Sequence, residues 1–393
     1  MKTIRADEYC KFVTDGTHDS PKQVNKGRKL ITSKHLGRYG IDFEGAKNIS
    51  ESDYQKVISR SKVEQWDILF SMIGTIGNLY LERNHKIEYA CKNMGIFQLG
   101  GDESKAKWLY YYLQTPKAKE YIETSGRGTT QSYVPLAALR ALPVDVVDGF
   151  TRDKTVKILW DIDEKILTNQ QVNKNLEQQA QALYREMFVN TQNNKRRICR
   201  AEEYFDIAIG KTPPRKEHQW FTTDPSDITW VSISDMGNCG TYISRSSEQI
   251  TQEAVDKFKI KVIPSNTVLL SFKLTVGRIA ITHGKMTTNE AIAHFKTDKP
   301  FINEYLYCYL KDFNYQTMGS TSSIATAVNS KIIKAMPFVI PADDEISRFH
   351  SIAGPMFEQV LNKQLENDSL AEMRDALLPR LMSGELDVSN IDF

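Results

Sequence analysis

From Ile162 the chain sets down mostly apolar positions at alternating intervals of four and three: Ile162, Ile166, Asn169, Asn173, Leu176, Ala180, Leu183 and Met187. That interval is the seam of a coiled coil with two polar interruptions, and it predicts a long helix within 151–192. The row returns 194 positions later as Met356, Val360, Lys363, Asn367, Leu370, Arg374, Leu377 and Leu381. Two such seams in one chain most simply bury each other. Leu176 and Leu370 are then interior apolar positions, and Asp at either should part the helices through the desolvation cost of a buried charge. Asn173 and Asn367 either fix the register of the pair or lie off the seam in solvent, and the pattern leaves both readings open. Ahead of the second row, "DEISRFHSIAG" (344–354) predicts a short separate turn of helix, with Gly354 and Pro355 permitting a bend before the main run. The ending "LLPRLMSGELDV" (377–388) reads as a helix stop capped by Gly384, and "LYREMFVN" (183–190) is its counterpart in the first row.

The segments between the helices also repeat. "DILFSMIGTIGNL" (67–79) matches "TVLLSFKLTVGRI" (267–279), keeping Leu69/Leu269, Ser71/Ser271, Thr75/Thr275 and Gly77/Gly277 in register. Upstream, "DGTHDSP" (15–21) pairs with "IGKTPPR" (209–215), and "LITSKHLG" (30–37) with "WVSISDMG" (230–237). Downstream, "WLYYYLQT" (108–115) pairs with "YLYCYLKD" (305–312), and "GTTQSYVPLAALRALPV" (128–144) with "SSIATAVNSKIIKAMPF" (322–338). Features recur in one order, so the chain is an internal duplication. Alternating apolar runs at "QWDILFSMI" and "NTVLLSF" predict strands, while "KAKWLYYYLQTPKAKEYI" has helical spacing and a Tyr/Trp face read as buried. The resulting organisation is α+β: a mixed domain over 1–150, a helix over 151–192, a second mixed domain over 193–343, and a helix with a tail over 344–393. The tail from 384 occupies the place where a third domain would begin, and is expected to fold back near the first domain.

Bulk properties narrow the function only slightly. The 393 residues carry a formal net charge of +2, so a polyanion surface would have to come from local runs such as "NKGRK" (25–29) or "NNKRR" (193–197). Five scattered cysteines without a CxxC pair argue for a reducing compartment and against structural zinc. No signal-like or membrane-length apolar run stands in the sequence, so a cytoplasmic location is expected. A helix of about 35 residues is about 50 Å long, whereas major-groove faces on one side of DNA recur about every 34 Å. Such a spacer suits two DNA-reading heads as readily as two protein-binding modules.

Catalytic signatures are missing. "IGKT" (209–212) lacks the upstream glycine of a phosphate loop, where Phe205 stands instead. "GDESK" (101–105) holds only a common acidic-x-Lys triplet. The seven histidines fall at no metal-ligand spacing, and "TPPR" (212–215) lacks both the Asn and the aromatic residue of an adenine methyltransferase loop. The chain is expected to do no chemistry by itself and to hold no metal.

Taken together, "VTDGTHDSPKQVNKG", "NISESDYQKVISRSKVEQWDILFSMIGTIGNLYL", "IAIGKTPPR", "WVSISDMG" and "LLPRLMSGELDV" resemble the specificity subunit of type I restriction-modification systems over essentially the full length. The resemblance implies two target recognition domains separated by two long helices, paired as an antiparallel coiled coil with a pseudo-twofold axis. It implies that each domain reads one half of a bipartite double-stranded DNA target, while the helices set the gap and dock two modification subunits. S-adenosylmethionine would be carried by those subunits, ATP and Mg2+ by a restriction and translocase subunit, and none of them by this chain.

On that reading, Lys22, Lys26, Arg28, Lys211 and Arg215 are candidate phosphate contacts in the matched loops. Side chains that differ between the halves are candidates for base readout: Thr17, His18, Lys34, Arg127 and Gln131 in the first domain, and Thr212, Ser234, Lys273 and Ser322 in the second. Arg127 stands out because the glycines of "SGRGTT" give a guanidinium freedom to enter a groove. The alternatives are a duplicated protein-interaction scaffold that never touches DNA, or a nuclease or methyltransferase with an unrecognised site. Strong salt-dependent DNA binding would exclude the first, and absence of turnover by the isolated chain the second.

Overall fold

The computed structural model describes residues 1–128, 132–191, 196–318 and 328–388. The chain forms two compact units, one of residues 1–167 with 369–393 and the other of 168–368. Each unit therefore contains one mixed domain and a part of both long helices, rather than leaving the helices as separate segments.

In the first unit an antiparallel sheet runs in the order Phe12–Asp15, Met94–Gln98, Ile68–Ser71, Leu79–Leu81. A second sheet orders Lys47–Ile49, Arg28–Ile31 and Tyr89–Cys91, the last pair parallel. In the other unit, Asp206–Ile209, Ile292–Lys296, Val268–Ser271 and Ile279–Thr282 repeat the first order and Tyr242–Ile243 extends it. There, too, the second sheet includes a parallel pair, Ile228–Val231 with Thr287–Thr288. Residues preserved in the repeat are those that close local hydrogen bonds. Ser71 Oγ donates to Thr75 O and accepts from the Asn78 amide, and Ser271 Oγ does the same with Thr275 O and the Arg278 amide. Likewise the Thr32 amide donates to His35 Nδ1 at 3.0 Å, and the Ser232 amide to Asp235 Oδ2 at 2.8 Å.

The aromatic run divides into two helices, Glu103–Tyr112 and Pro116–Thr124, because Thr115 caps the second and Pro116 starts it. Trp108, Tyr110, Tyr111 and Tyr112 are buried in the first core, so they are a packing face. "GDESK" also has a structural role: Asp102 accepts the Lys105 amide and caps that helix.

The first long helix, Gly149–Tyr184, ends in a π-type turn, Arg185–Val189. The second is continuous over Asp343–Met382, which corrects the expected separate turn of helix. Phe349, Ala353, Phe357 and Val360 are buried along one face on both sides of Gly354 and Pro355. Burial of that face offsets the cost of a helical proline, about 3 kcal/mol. At Gly354 a Cβ would approach the His350 ring to 2.9 Å, so a larger residue there would displace that ring. The helix stops where Gly384 turns left-handed at φ +74°, and Leu386 and Val388 pack onto the first core. The remaining tail, 389–393, lies outside the described residues.

Along the seam, Ile166, Asn173, Val360 and Leu381 are buried, whereas Ile162, Leu176, Leu183, Met187, Met356, Asn367, Leu370 and Leu377 are half-buried. Fully buried positions fall one residue later at Asp163, Tyr184, Phe188, Phe357 and Leu378. A helix of 3.6 residues per turn drifts against a strict heptad, and the apolar pattern passes over a buried Asp. The interior polar positions pair. Asn169 Nδ2 donates to Asn367 Oδ1 at 2.9 Å and Asn173 Nδ2 to Val360 O at 3.2 Å, so these helix segments run antiparallel and the asparagines face inward. In the first unit the Asp163 carboxylate, 3% exposed, accepts from Tyr39 Oη at 2.9 Å, Tyr111 Oη at 2.8 Å and Arg374 Nη1 at 2.8 Å.

Asp163→Ala should lower stability by about 3–5 kcal/mol, because it leaves a buried guanidinium without its interior carboxylate. Adding Arg374→Met should recover part of that loss in a denaturant titration. A second prediction concerns His294, which burial and the charges of Lys296 and Lys261 push down to about 4. The unfolded side chain takes up a proton near pH 6.5 and the folded one resists until about 4. Its stabilising contribution is therefore complete above about 6.5 and falls by about 3 kcal/mol as the pH drops towards 4. His294→Gln should flatten that part of a stability-against-pH curve.

Candidate nucleic-acid interface

In the first domain the loop after Phe12–Asp15 is held against the strand ending at Cys91. The Thr17 amide donates to Cys91 O at 2.9 Å and the Asn93 amide to Thr17 O at 3.1 Å. A Cβ on Gly16 would lie 2.4 Å from Cys91 O, so only glycine permits this approach. Asp15 is almost buried and receives Arg60 Nη2 at 3.2 Å, while the His18 ring nitrogens lie 2.8 Å from Asp15 Oδ2 and 2.9 Å from Asn93 Oδ1. These contacts stiffen one wall of an open cleft of 780 Å³, lined by Thr17, Asp19, Ser20, Lys22, Lys56 and Arg60 among others.

The other first-domain candidates are dispersed. Lys26 and Lys34 are exposed, Lys34 on the short 3-10 turn Ser33–His35. Arg28 bonds Glu51 at 3.0 Å and Glu88 at 2.5 Å, so its charge is matched within the fold. Arg127 is exposed on a backbone bridge to Tyr133, and Tyr133 also bridges to Ile73. Arg127 therefore flanks the 71–78 loop. Gln131 lies outside the described residues.

The second domain builds the matching loop with different chemistry. Gly210 takes the place of Gly16, and a Cβ there would sit 2.1 Å from Thr288 Oγ1. Lys211 Nζ donates to Phe258 O at 2.7 Å, and the Thr212 hydroxyl donates to Glu290. Arg215 Nη1 lies 2.9 and 2.8 Å from the two carboxylate oxygens of Glu248, with its guanidinium over the rings of Phe221 and Trp230. Its charge is thereby matched internally and its planar group held over two rings. Burial raises the Glu290 carboxyl, but the Thr212 hydroxyl, its own backbone N–H, Lys273 and Arg215 outweigh that and hold it below the usual range. Thr212 is thus bonded to an acidic group whose charge is also favoured by Lys273 and Arg215. Ser234 is exposed on the helix Ile233–Asn238, and Ser322 lies outside the described residues.

One exposed residue beside these candidates is apolar. Leu274 stands beside Lys273 at the tip of the 271–278 loop with φ +61° and its side chain 98% exposed. In the duplicated loop the position is Gly74, at φ +78°. A left-handed leucine costs about 1–2 kcal/mol that glycine does not. The register of the two stretches was the signal that could have found it.

Among the described residues no group of His, Cys, Asp and Glu is arranged to hold a metal, and no helix is long and apolar enough to cross a membrane. The arrangement offers duplicated loops with exposed lysines and polar side chains.

Comparison with known proteins agrees with the duplication. The family model described as type I restriction modification DNA specificity domain matches twice, at 22–178 and 198–367. A type I restriction enzyme HindI specificity subunit from Haemophilus influenzae is 21% identical, covering 84% of this chain and 88% of its own. The MjaIX specificity subunit from Methanocaldococcus jannaschii is 24% identical, covering 92% and 87%. A solved type I restriction-modification S subunit from M. genitalium shares the fold with a TM-score of 0.52 over 97% of this chain and 95% of that one, at 14% identity. Two successive matches to one domain model, on the two halves of an internally duplicated chain, make this protein a member of the type I restriction-modification DNA specificity subunit family.

Proposed function

We propose that each mixed domain reads one half of a bipartite duplex target, and that the paired helices set the gap between the halves and dock two modification subunits. The single observation carrying this reading is the repeated pair of loops, 15–22 with 71–78 and 209–216 with 271–278. Their scaffolding hydrogen bonds are shared while their exposed side chains differ. A common frame with unlike tips is what reading two unlike half-sites requires. Lys22, Lys26 and Lys211 would contact phosphates, and Thr17, His18, Arg127, Thr212 and Lys273 base edges. The polar contacts along the seam support a fixed helix register, since each would be broken by a slip of one turn.

A specificity subunit is the non-catalytic component, so chemistry belongs to its partners. The modification subunits would bring S-adenosylmethionine and methylate adenine. A restriction and translocase subunit, if assembled, would bring ATP and Mg2+. Neither the protein-only scaffold nor the unrecognised enzyme is favoured by the family match.

Exchanging residues 1–150 for those of a relative should change one half of the methylated sequence in the assembled complex and leave the other half alone. Change in both halves would sink the two-head reading. Replacing Lys22, Lys26 and Lys211 by Ala should lower affinity similarly for all DNA sequences. It should also reduce the slope of log affinity against log salt by about 1 for each phosphate no longer neutralised, measured by fluorescence anisotropy.

A further inference from the structure

Leu274 has no account within its own domain. Of the other non-glycine residues with positive φ, Lys259 caps a helix C-terminus, and Asn93 and Asn266 are of the type that tolerates the conformation. Trp66 packs edge-on against Trp160. Leu274 belongs to no apolar cluster and is the most exposed large apolar side chain among the described residues. A lone surface leucine is ordinary, but one held left-handed at a loop tip where the duplicate uses glycine is not. The loop beneath it is rigid. Ser271 ties Thr275 O to the Arg278 amide, Gly277 turns at φ +93° and returns its N–H to Ser271 O at 3.0 Å, and Arg278 Nη1 anchors to Ile233 O at 2.6 Å. Lys273 stands next to it, and the electrostatic neighbourhood of Lys273 includes Glu290, to which Thr212 is bonded.

We infer that Leu274 is an apolar base-contacting residue of the second domain, carried into a DNA groove beside Lys273 by a rigid loop. The inference rests on the proposed DNA-reading function and adds a specificity-determining residue to it. A leucine cannot hydrogen-bond a base edge. It discriminates by packing on a thymine 5-methyl group or by entering an opened base step, and both bury apolar surface that is wet in the free chain. The first domain, with Gly74 at this place, lacks the contact, so the asymmetry falls on one half-site only.

The test uses the full chain assembled with its modification subunits, on a duplex whose target has been identified by mapping methylated adenines. Leu274→Gly adopts the conformation without strain, so folding and thermal stability should hold or improve. Affinity for the cognate duplex should fall about tenfold, with relaxed preference in one half-site only. Leu274→Met should restore most of the loss. Replacing thymines by uracils across that half-site separates the two modes. A methyl contact predicts one position where uracil weakens the wild type but not Leu274→Gly, whereas an opened step predicts insensitivity to uracil with the leucine effect retained. Unchanged affinity and preference in Leu274→Gly would overturn the assignment. So would weakened assembly with the modification subunits at unchanged DNA preference, which would make Leu274 a protein contact. If the wild-type complex shows no sequence preference at all, the DNA-reading function fails together with this inference. A Leu274→Gly result without effect on a wild-type complex that does discriminate refutes the inference alone.

Discussion

A carboxylate withdrawn almost completely from water has to be matched, and Asp163 is matched by two tyrosine hydroxyls and a guanidinium that come from separate parts of the first unit. Tyr39 comes from the turn joining the paired strands Leu36–Gly37 and Gly40–Ile41, Tyr111 from the aromatic helix and Arg374 from the second long helix. Three pieces of chain are thereby pinned to one turn of the first helix. The arrangement tolerates little sliding, because a displaced partner would leave a buried charge unpaired. The second unit uses neutral groups to the same end: Asn169 with Asn367, Asn173 with Val360 O, and the Gln364 amide with both backbone groups of Tyr242. Apolar burial supplies adhesion along the seam, and these polar contacts supply register.

Register matters to a protein of this family because base readout depends on placement. Hydrogen bonds to base edges are directional, and a loop displaced by a fraction of a base-pair step contacts the wrong groups. The domains hold their loops accordingly. Glycines at 16 and 210 allow close backbone approach, and Ser71 and Ser271 tie each hairpin tip to its own carbonyl and amide. The fixed frame is duplicated and the exposed chemistry is not. His18 bridged between Asp15 and Asn93 in one domain stands opposite Thr212 bonded to Glu290 in the other.

The frame was readable because its signals are local. Ser71, Thr75 and Gly77 recur at 271, 275 and 277 since one turn needs all three, and the duplicate makes the requirement visible. The heptad row exposed both long helices, and the aromatic face of Glu103–Tyr112 announced its burial. Individual seam positions were less legible. Reading apolar residues onto the seam selects Ile162, whereas the interior position belongs to Asp163, whose partners lie far away in sequence. Gly354 and Pro355 suggested a break by local propensity, but burial of Phe349, Ala353, Phe357 and Val360 on one face carried the helix on past them. Arg28 and Arg215 looked like cations available to phosphate, yet their carboxylate partners come from other segments.

The sequence by itself determined the duplication, the alternation of mixed domains with long helices, the lack of a catalytic or metal-binding signature and the family. Periodicity and turn chemistry depend only on neighbours along the chain. The tertiary structure alone decided which polar residues are interior, which cations are already neutralised and which loop tip carries a strained, exposed leucine. Those properties belong to pairs of residues distant in sequence, and an amino-acid string does not state which distant groups share a low-dielectric interior.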